Sequence, residues 1–307
     1  SYRFTPVEQR PALAQLNRAV VLLNSPSGRC TGTYVSSDGA ILTARHCLQI
    51  CLIRSGVVRE VSEQDGAIVF YETVPERSGV ATCELEINGV PQTVTVEATG
   101  PGFVMPFNMS GLSSLNPALM KDLIARGYTS SGDFAIVRQR VTTPTACVAL
   151  AQAPAQPGDF VQSIEYPAAT ERPDGYNSDG EQAYASGGVV AHSIAENSCV
   201  VEASPPAERL ARLMATFDDA SSFVSSLDSN HGASGSPVFN AKGEVVGILI
   251  NIYRHTSITQ KQEDEPEVRF CLGSSKALRI ERVLSFLPWR VILNCARPPK
   301  HAETKVF

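Results

Sequence analysis

Glycine-flanked Ser234 is the residue of this chain best suited to do chemistry. It lies between Gly232 and Gly235, and glycines allow the backbone to turn tightly. Such a turn exposes the serine hydroxyl and can direct two backbone N–H groups, predicted to be those of Gly232 and Ser234, toward a developing oxyanion. A serine hydroxyl is a weak nucleophile, so it needs a base and a group that orients the base.

His46 and Asp133 are the candidates for these two roles. His46 follows the apolar run 40–42, and Asp133 follows a glycine and precedes the apolar run 134–137. Taken alone, a histidine is most often structural, and an aspartate before a strand is most often a turn residue. Their presence together with Ser234 predicts a catalytic triad for acyl transfer, with His46 as base and Asp133 as the group that orients it.

The segments around these residues resemble the chymotrypsin-fold serine proteases, and most closely the bacterial branch of V8-like glutamyl endopeptidases. Residues 232–240 read Gly-Ala-Ser-Gly-Ser-Pro-Val-Phe-Asn, which is similar to that branch's Gly-Asn-Ser-Gly-Ser-Pro-Val-Phe-Asn. Residues 132–137 resemble its Gly-Asp-Leu-Ala-Ile-Val. Residues 43–47 resemble the usual Thr-Ala-Ala-His-Cys, with Arg45 in place of an alanine. The resemblance implies a secreted serine endopeptidase.

It also implies an all-β fold of two antiparallel six-stranded β-barrels with short helices and a C-terminal helix. The expected N-terminal barrel, residues 1–145, carries the base and the acid, with an insertion around 51–116. The expected C-terminal barrel, residues 146–307, carries the nucleophile. A helical pattern over 278–293 predicts the C-terminal helix. The 22 glycines and 20 prolines among 307 residues suit a β protein with many turns.

Residues 81–96 give the clearest hairpin signal. Asn88-Gly89 is a strong two-residue turn sequence. Alternation outward from this turn predicts one apolar face, made of Cys83, Leu85, Ile87, Val90, Val94 and Val96. Pro91 favours an edge position in the sheet, because proline has no N–H to donate to a neighbouring strand.

The even number of cysteines, eight, predicts four disulfides and therefore a secreted or periplasmic protein. The resemblance implies that Cys30 pairs with Cys47, and a Cys51–Cys83 bridge would clip the insertion. The alternative is zinc binding through His46, Cys47 and Cys51. Structural zinc requires four well-placed ligands, and no second cluster of ligands is present in the sequence. We therefore expect no metal and no cofactor.

The charge of the chain restricts its partners. The net charge of −5 provides no basic field for nucleic acid or for an anionic membrane. No apolar run approaches the roughly 20 residues of a membrane span. The expected partners are polypeptide substrates, and the sequence makes no prediction of oligomeric state. A catalytically inactive homologue that acts as a binding module is the alternative function, although none of the three motifs is broken.

Asp228 and Ser229 are candidate residues of the substrate pocket. In trypsins an Asp-Ser pair at this distance before the nucleophile selects Arg or Lys, because a desolvated carboxylate favours a cationic side chain. Many V8-like enzymes carry an aspartate here without cutting after basic residues. Both interpretations of Asp228, as a pocket residue and as a turn residue, therefore stay open.

Residues 249–251 are the other candidate substrate-binding residues. V8-like enzymes have Gly-Ile-His-Trp where this chain has Gly-Ile-Leu249-Ile250, and the family's histidine helps to receive a substrate carboxylate. Leu249 cannot do so, which argues against glutamate specificity. Ile250 and Asn251 also differ from the Ser-Trp-Gly of trypsins, so the nature of the pocket wall stays open.

Overall fold

The computed structural model describes residues 2–63, 68–74, 79–98, 132–167, 182–191, 221–229, 232–252, 275–285 and 295. These residues are mostly β-structure with a few short helices. The strands are β1 (Tyr2–Pro6), β2 (Val20–Ser25), β3 (Gly28–Tyr34), β4 (Ala40–Thr43), β5 (Val58–Glu63), β6 (Ile68–Thr73), β7 (Val80–Ile87), β8 (Val90–Glu97), β9 (Ala135–Arg138), β10 (Phe160–Glu165), β11 (Tyr184–Val189), β12 (Ser222–Ser225), β13 (Pro237–Phe239), β14 (Val245–Ile252) and β15 (Ser275–Arg279). The α-helices are α1 (Ala14–Asn17), α2 (Gln49–Arg54) and α3 (Ile280–Leu284), and Val7–Gln9, Pro11–Leu13 and Arg45–Leu48 form 3₁₀ turns.

Six antiparallel strands close the first barrel in the order β2-β3-β4-β9-β8-β7. Closure into a barrel leaves no exposed sheet edge. Strand β4 is buried along its whole length, and three of the four residues of β9 are buried. These two strands pair with each other, with Thr43 opposite Ala135. The pairing brings the segment after β4, which contains His46, next to the segment before β9, which contains Asp133.

The predicted hairpin over residues 81–96 is confirmed as β7 and β8. Ile87 pairs with Val90 around Asn88-Gly89, and both turn residues have positive φ angles. Five of the six predicted apolar positions are buried. Val90 is the exception at 57% exposure, because it directly follows the turn. Pro91 is tolerated because β9 pairs with β8 only farther along, from Thr95 to Glu97.

Of the insertion expected around 51–116, residues 80–97 belong to the barrel as β7 and β8, and residues 99–116 lie outside the described part. The described part before β7 is α2 followed by a separate two-stranded sheet of β5 and β6. Helix α2 packs against β5 and β7, and the Cys51–Cys83 disulfide joins α2 to the barrel. The insertion is therefore covalently fixed at its start.

The second sheet has seven strands in the order β1-β11-β10-β13-β14-β15-β12 and forms a curled half-barrel. Together the two sheets confirm a chymotrypsin-like two-barrel class, although the described part of the second unit is not a closed six-stranded barrel. Strand β1 differs from the expected division of the chain, because it pairs with β11 of the second sheet. The N-terminal segment thus crosses over to the half of the molecule that carries Ser234.

The chain end also differs from the expected helix over 278–293. Leu278 lies in β15, opposite Ser222 and Ile248, and the helix α3 begins only at Ile280. Residues 286–294 lie outside the described part. A disulfide joins Cys147 to Cys295, so Cys295 is tied to the connection between the two sheets. No helix in the part of the chain that the structure describes is long and apolar enough to cross a membrane.

Candidate active site

His46 is fixed on the 3₁₀ turn that follows β4. The neighbouring residue Cys47 forms a disulfide with Cys30 on β3, and Ser25 Oγ donates a hydrogen bond to the Cys47 carbonyl at 2.6 Å. The bridge implied by the resemblance is thus present in the structure. Because a disulfide and a hydrogen bond hold the adjacent residue, the backbone of His46 has little freedom to move.

Asp133 makes two hydrogen bonds to His46. The backbone N–H of His46 donates to Asp133 Oδ1 at 3.0 Å, and His46 Nδ1 lies 2.8 Å from Asp133 Oδ2. The Asp133 side chain is fully buried, whereas that of His46 is 23% exposed. A buried carboxylate on Nδ1 favours the tautomer with the proton on Nδ1, which leaves Nε2 as the basic nitrogen.

The surroundings of His46 change its basicity. Burial by itself lowers the pKa of His46, because it disfavours the charged imidazolium. The negative charge of Asp133 and its hydrogen bond act in the opposite direction and prevail, so the pKa of His46 is raised above its ordinary 6.5. The arrangement therefore stabilises the protonated histidine that forms when a base accepts a proton.

The loop that carries Ser234 is shaped by two glycines. Gly232 has φ of 93° and Gly235 has φ of 85°, a region that other residues seldom adopt. The N–H of Gly235 donates to the Leu249 carbonyl at 2.7 Å, and the N–H of Ser236 donates to Ala233 at 2.9 Å. The loop is thus held by its backbone, while the Ser234 side chain stays partly exposed.

This loop docks on the first barrel beside His46. The N–H of Thr31 on β3 donates to the Ser234 carbonyl at 2.9 Å. The sulfur of Cys47 lies 3.7 Å from the same carbonyl oxygen. Strand β3 and the 3₁₀ turn therefore bring Ser234 next to the segment of His46 and Asp133.

Gly235 is required where the two sheets meet. A Cβ atom at this position would lie 2.2 Å from Thr43 Oγ1 and 2.3 Å from the Thr31 carbonyl oxygen. Both neighbours belong to buried parts of the first barrel and cannot withdraw easily. The glycine thus serves close packing as well as backbone conformation.

Two N–H groups of the loop are candidates for binding an oxyanion. The N–H groups of Gly232 and Ser234 donate to no backbone carbonyl among the described residues. The Gly232 carbonyl is held by Thr31, whose Oγ1 donates to it at 2.9 Å. This bond fixes the peptide that follows Gly232.

Thr31 is a site residue that the sequence analysis missed. Besides its two bonds to the Ser234 loop, its Oγ1 accepts the N–H of Tyr166 at 3.0 Å. It is fully buried, so a polar side chain there needs partners. The available signal was a pair of threonines, Thr31 and Thr33, in the buried part of strand β3.

Asp228 and Ser229 have partners in the structure. Asp228 Oδ2 accepts the backbone N–H of Phe4 on β1 at 3.1 Å, and the Asp228 carbonyl accepts a bond from Ser186 Oγ at 3.0 Å. Ser229 Oγ donates to the buried Glu165 at 3.3 Å. Asp228 is half-buried and links β1 to the sheet, a contact that no local sequence pattern indicates.

The other proposed pocket residues lie on β14. Leu249 and Ile250 are buried at 1% and 2% exposure, and the Leu249 backbone bonds to the Ser234 loop. Asn251 belongs to the same strand, and its side chain lies outside the described part. The Leu249 side chain packs in the core, so its described role is to support the loop.

The zinc alternative does not fit the residues at the site. Cys30, His46 and Cys47 have ligand atoms within 4.8 Å of one another. However, Cys30 and Cys47 are bonded to each other, and Cys51 is bonded to Cys83. A cysteine binds zinc as a thiolate, and these sulfurs are in disulfides.

Comparisons with known proteins place this site in a family. No curated protein matches the chain. Among solved structures, the Rv3671c protease in an inactive form has 16% identity and a TM-score of 0.45, and the match covers 93% of this chain and 95% of that one. A serine-to-alanine mutant of Rv3671c from M. tuberculosis H37Rv, also an inactive form, has 14% identity, 92% coverage of both chains and a TM-score of 0.43. A serine endoprotease from Yersinia pestis has 13% identity and a TM-score of 0.45, covering 94% of this chain and 68% of that one.

A family model gives the more direct result. Residues 30–248 match the trypsin-like peptidase domain, and this range contains all three candidate catalytic residues. The match spans well over half of the chain. The chain therefore belongs to the trypsin-like peptidase domain family of serine proteases.

Proposed function

We propose that this protein is a secreted serine endopeptidase that hydrolyses peptide bonds of polypeptides through Ser234, His46 and Asp133. The observation that carries the proposal is the 2.8 Å contact of His46 with the fully buried Asp133, beside a Ser234 loop docked on the same barrel. The motifs around the three residues favour the V8-like branch of the family. Polypeptide substrates accord with the family of the domain.

In the proposed mechanism, His46 Nε2 removes the proton of the Ser234 hydroxyl as the oxygen attacks the scissile carbonyl. Asp133 holds the imidazole tautomer and stabilises the imidazolium. The N–H groups of Gly232 and Ser234 bind the oxyanion of the tetrahedral intermediate. His46 then protonates the leaving amine. In deacylation His46 removes a proton from a water molecule that attacks the acyl-enzyme carbonyl, and it returns this proton to the departing Ser234 oxygen as the acid product is released. No metal or cofactor is needed for any step.

The proposed compartment and domain division rest on separate observations. Three disulfides in the described part favour an oxidising environment, which supports a secreted or periplasmic location. We propose a boundary near residues 145 and 146, between β9 of the first barrel and β10 of the second sheet. Strand β1 lies before this boundary but is part of the second sheet.

We propose a preference for Arg or Lys before the scissile bond, with Asp228 as the carboxylate that selects it. The half-buried position of Asp228 supports this, because partial desolvation strengthens its attraction for a cation. The absence of a carboxylate-binding side chain at buried Leu249 speaks against glutamate specificity.

An Asp228→Asn variant tests this preference. The amide keeps an oxygen that can accept the Phe4 N–H but removes the charge. We expect kcat/KM for Arg and Lys peptides to fall about tenfold or more relative to peptides with neutral residues at that position. A peptide library digested by both proteins measures the ratio. An unchanged cleavage profile would identify Asp228 as a scaffold residue.

Labelling with a fluorophosphonate tests the function itself. An active enzyme forms a covalent adduct at Ser234, and Ser234→Ala abolishes it. Ser236→Ala is the matched control, because Ser236 is a buried serine in the same loop and has no role in the proposed chemistry. Absence of labelling in the folded wild-type protein would instead indicate an inactive homologue.

A further inference from the structure

Arg45, which replaces the family's usual alanine before the catalytic histidine, is fully buried. Its exposure is 0%, and it is among the largest fully buried side chains of the described residues. Burial of a guanidinium is unfavourable unless hydrogen bonds and an opposite charge compensate it. A residue of this kind next to His46 must therefore have specific partners.

One partner belongs to the insertion. Arg45 Nη1 donates to Thr73 Oγ1 at 2.7 Å. Thr73 is the last residue of β6, where it pairs with Val58, and the next N–H, that of Val74, donates to the Val57 carbonyl at 2.9 Å. Arg45 thus joins the turn that carries His46 to the base of the β5–β6 hairpin.

The second partner is electrostatic. Burial lowers the pKa of Arg45 to about 10, and the negative charge of Asp133 acts in the opposite direction by favouring the cation. At neutral pH the guanidinium therefore stays charged. Asp133 accordingly interacts with a permanent cation at Arg45 and with a titrating group at His46.

In the part of the chain that the structure describes, two elements supply the charges around His46. The 3₁₀ turn supplies Arg45, and the segment before β9 supplies Asp133. The hairpin supplies the neutral hydroxyl of Thr73. The nucleophile loop, residues 232–236, contains no charged side chain, and the Cys30–Cys47 disulfide next to His46 carries no charge. A positive charge near a carboxylate offsets part of its field, so we expect loss of the Arg45 charge to favour the imidazolium.

We propose that Arg45 is a positioning residue that ties the insertion hairpin to the Asp133–His46 pair. This inference rests on the proposed function, because it concerns the activation of Ser234. Arg45 acts through Asp133 and His46, and the hairpin stabilises the Arg45 side chain through Thr73.

Four variants separate charge from packing. Arg45→Met removes the positive charge but keeps a long unbranched side chain. Arg45→Lys keeps a positive charge but replaces the planar guanidinium by an ammonium group. Thr73→Val replaces only the hydroxyl by a methyl group. Arg138→Met is the matched control, because Arg138 pairs with Glu97 on β8 instead of with the site. The measurement is the rate of fluorophosphonate labelling of Ser234 as a function of pH, with circular dichroism to verify folding.

For Arg45→Met we expect a plateau rate about tenfold lower, because small displacements of catalytic groups are costly. We also expect the midpoint of the acidic limb to rise by about half a pH unit or more. Arg45→Lys lowers the plateau and keeps the midpoint. Thr73→Val lowers the rate about two- to threefold at an unchanged midpoint. Arg138→Met matches the wild type.

The outcomes distinguish this inference from the proposed function. If the folded wild-type protein is not labelled, the proposed function fails. If the wild type is labelled and folded Arg45→Met keeps the wild-type plateau and midpoint, only the role of Arg45 is overturned. If Arg45→Met does not fold, Arg45→Lys and Thr73→Val test the role of Arg45. Reduced plateaus in both then support the role, and wild-type rates in both overturn it.

Discussion

The two halves of the candidate site are held in different ways. His46 and Asp133 are fixed by side-chain bonds to each other and by a disulfide at the neighbouring Cys47. Ser234 is fixed by backbone hydrogen bonds and by glycines with positive φ angles. A change of side-chain chemistry should therefore lower activity most at His46 and Asp133. A change of backbone conformation should lower activity most in the loop that carries Ser234.

The largest effect is expected for Asp133→Asn. An amide at this position has nearly the same shape, but it allows the wrong imidazole tautomer and does not stabilise the imidazolium. In the Ser-His-Asp proteases for which this change is the known example, kcat falls about 10⁴-fold, and we expect a loss of this order in kcat/KM. Steady-state hydrolysis of a peptide substrate measures it.

The same variant should also change the pH dependence. Asp133 raises the pKa of His46, so the pair contributes stability that is fully present below pH 6.5 and is lost as the pH rises through the folded-state pKa. Without the carboxylate charge, the acidic midpoint of labelling should fall. A midpoint that stays in place or rises would show that Asp133 does not control His46.

Gly235→Ala tests the other half. The added Cβ would clash with Thr43 and Thr31, and the φ of 85° is unfavourable for alanine. We expect unfolding free energy to fall by about 2 kcal/mol or more and the labelling rate to fall about 100-fold. Chemical denaturation and labelling measure the two effects. Gly243→Ala, in the β13–β14 turn, is a control with positive φ away from the site. Equal losses in both variants would contradict a special role for Gly235.

Removal of the Cys30–Cys47 disulfide should have the smallest effect on chemistry. The bridge closes a loop with a sequence separation of 17, so replacement of both cysteines by alanine should reduce unfolding free energy by about 3 kcal/mol. The hydrogen bonds between His46 and Asp133 do not pass through the sulfurs. The rate per folded molecule should therefore fall by less than the roughly 100-fold expected for Gly235→Ala, and a larger fall would show that the disulfide positions His46.

Local sequence patterns predicted much of the first barrel, which carries His46 and Asp133. The Asn88-Gly89 turn and the alternation around it defined β7 and β8 correctly, because a hairpin is a local structure. Val90 was predicted to be buried because alternation takes no account of the solvent beside a turn. The motifs around His46 and Asp133 predicted that these two side chains lie together, and the pairing of β4 with β9 brings them within hydrogen-bonding distance.

The second half was less predictable because its contacts are long-range. Strand β1 pairs with β11, and Phe4 binds Asp228, across most of the chain length, and no local residue pattern encodes either contact. Leu278 was predicted to begin a helix over 278–293, yet it lies in β15, an interior strand that pairs with both β12 and β14. A short apolar run suits a strand as well as a helix, and only the sheet decides.

The pH-dependent labelling of Ser234 tests the central claim most directly. We expect a fluorophosphonate to modify Ser234 alone, as located by peptide mass spectrometry, and the adduct to disappear in Ser234→Ala. The rate should rise with pH through a midpoint above 6.5, because neutral His46 is the base and Asp133 raises its pKa. Labelling that persists in Ser234→Ala, or a rate independent of pH across the titration of His46, would contradict a triad of Ser234, His46 and Asp133.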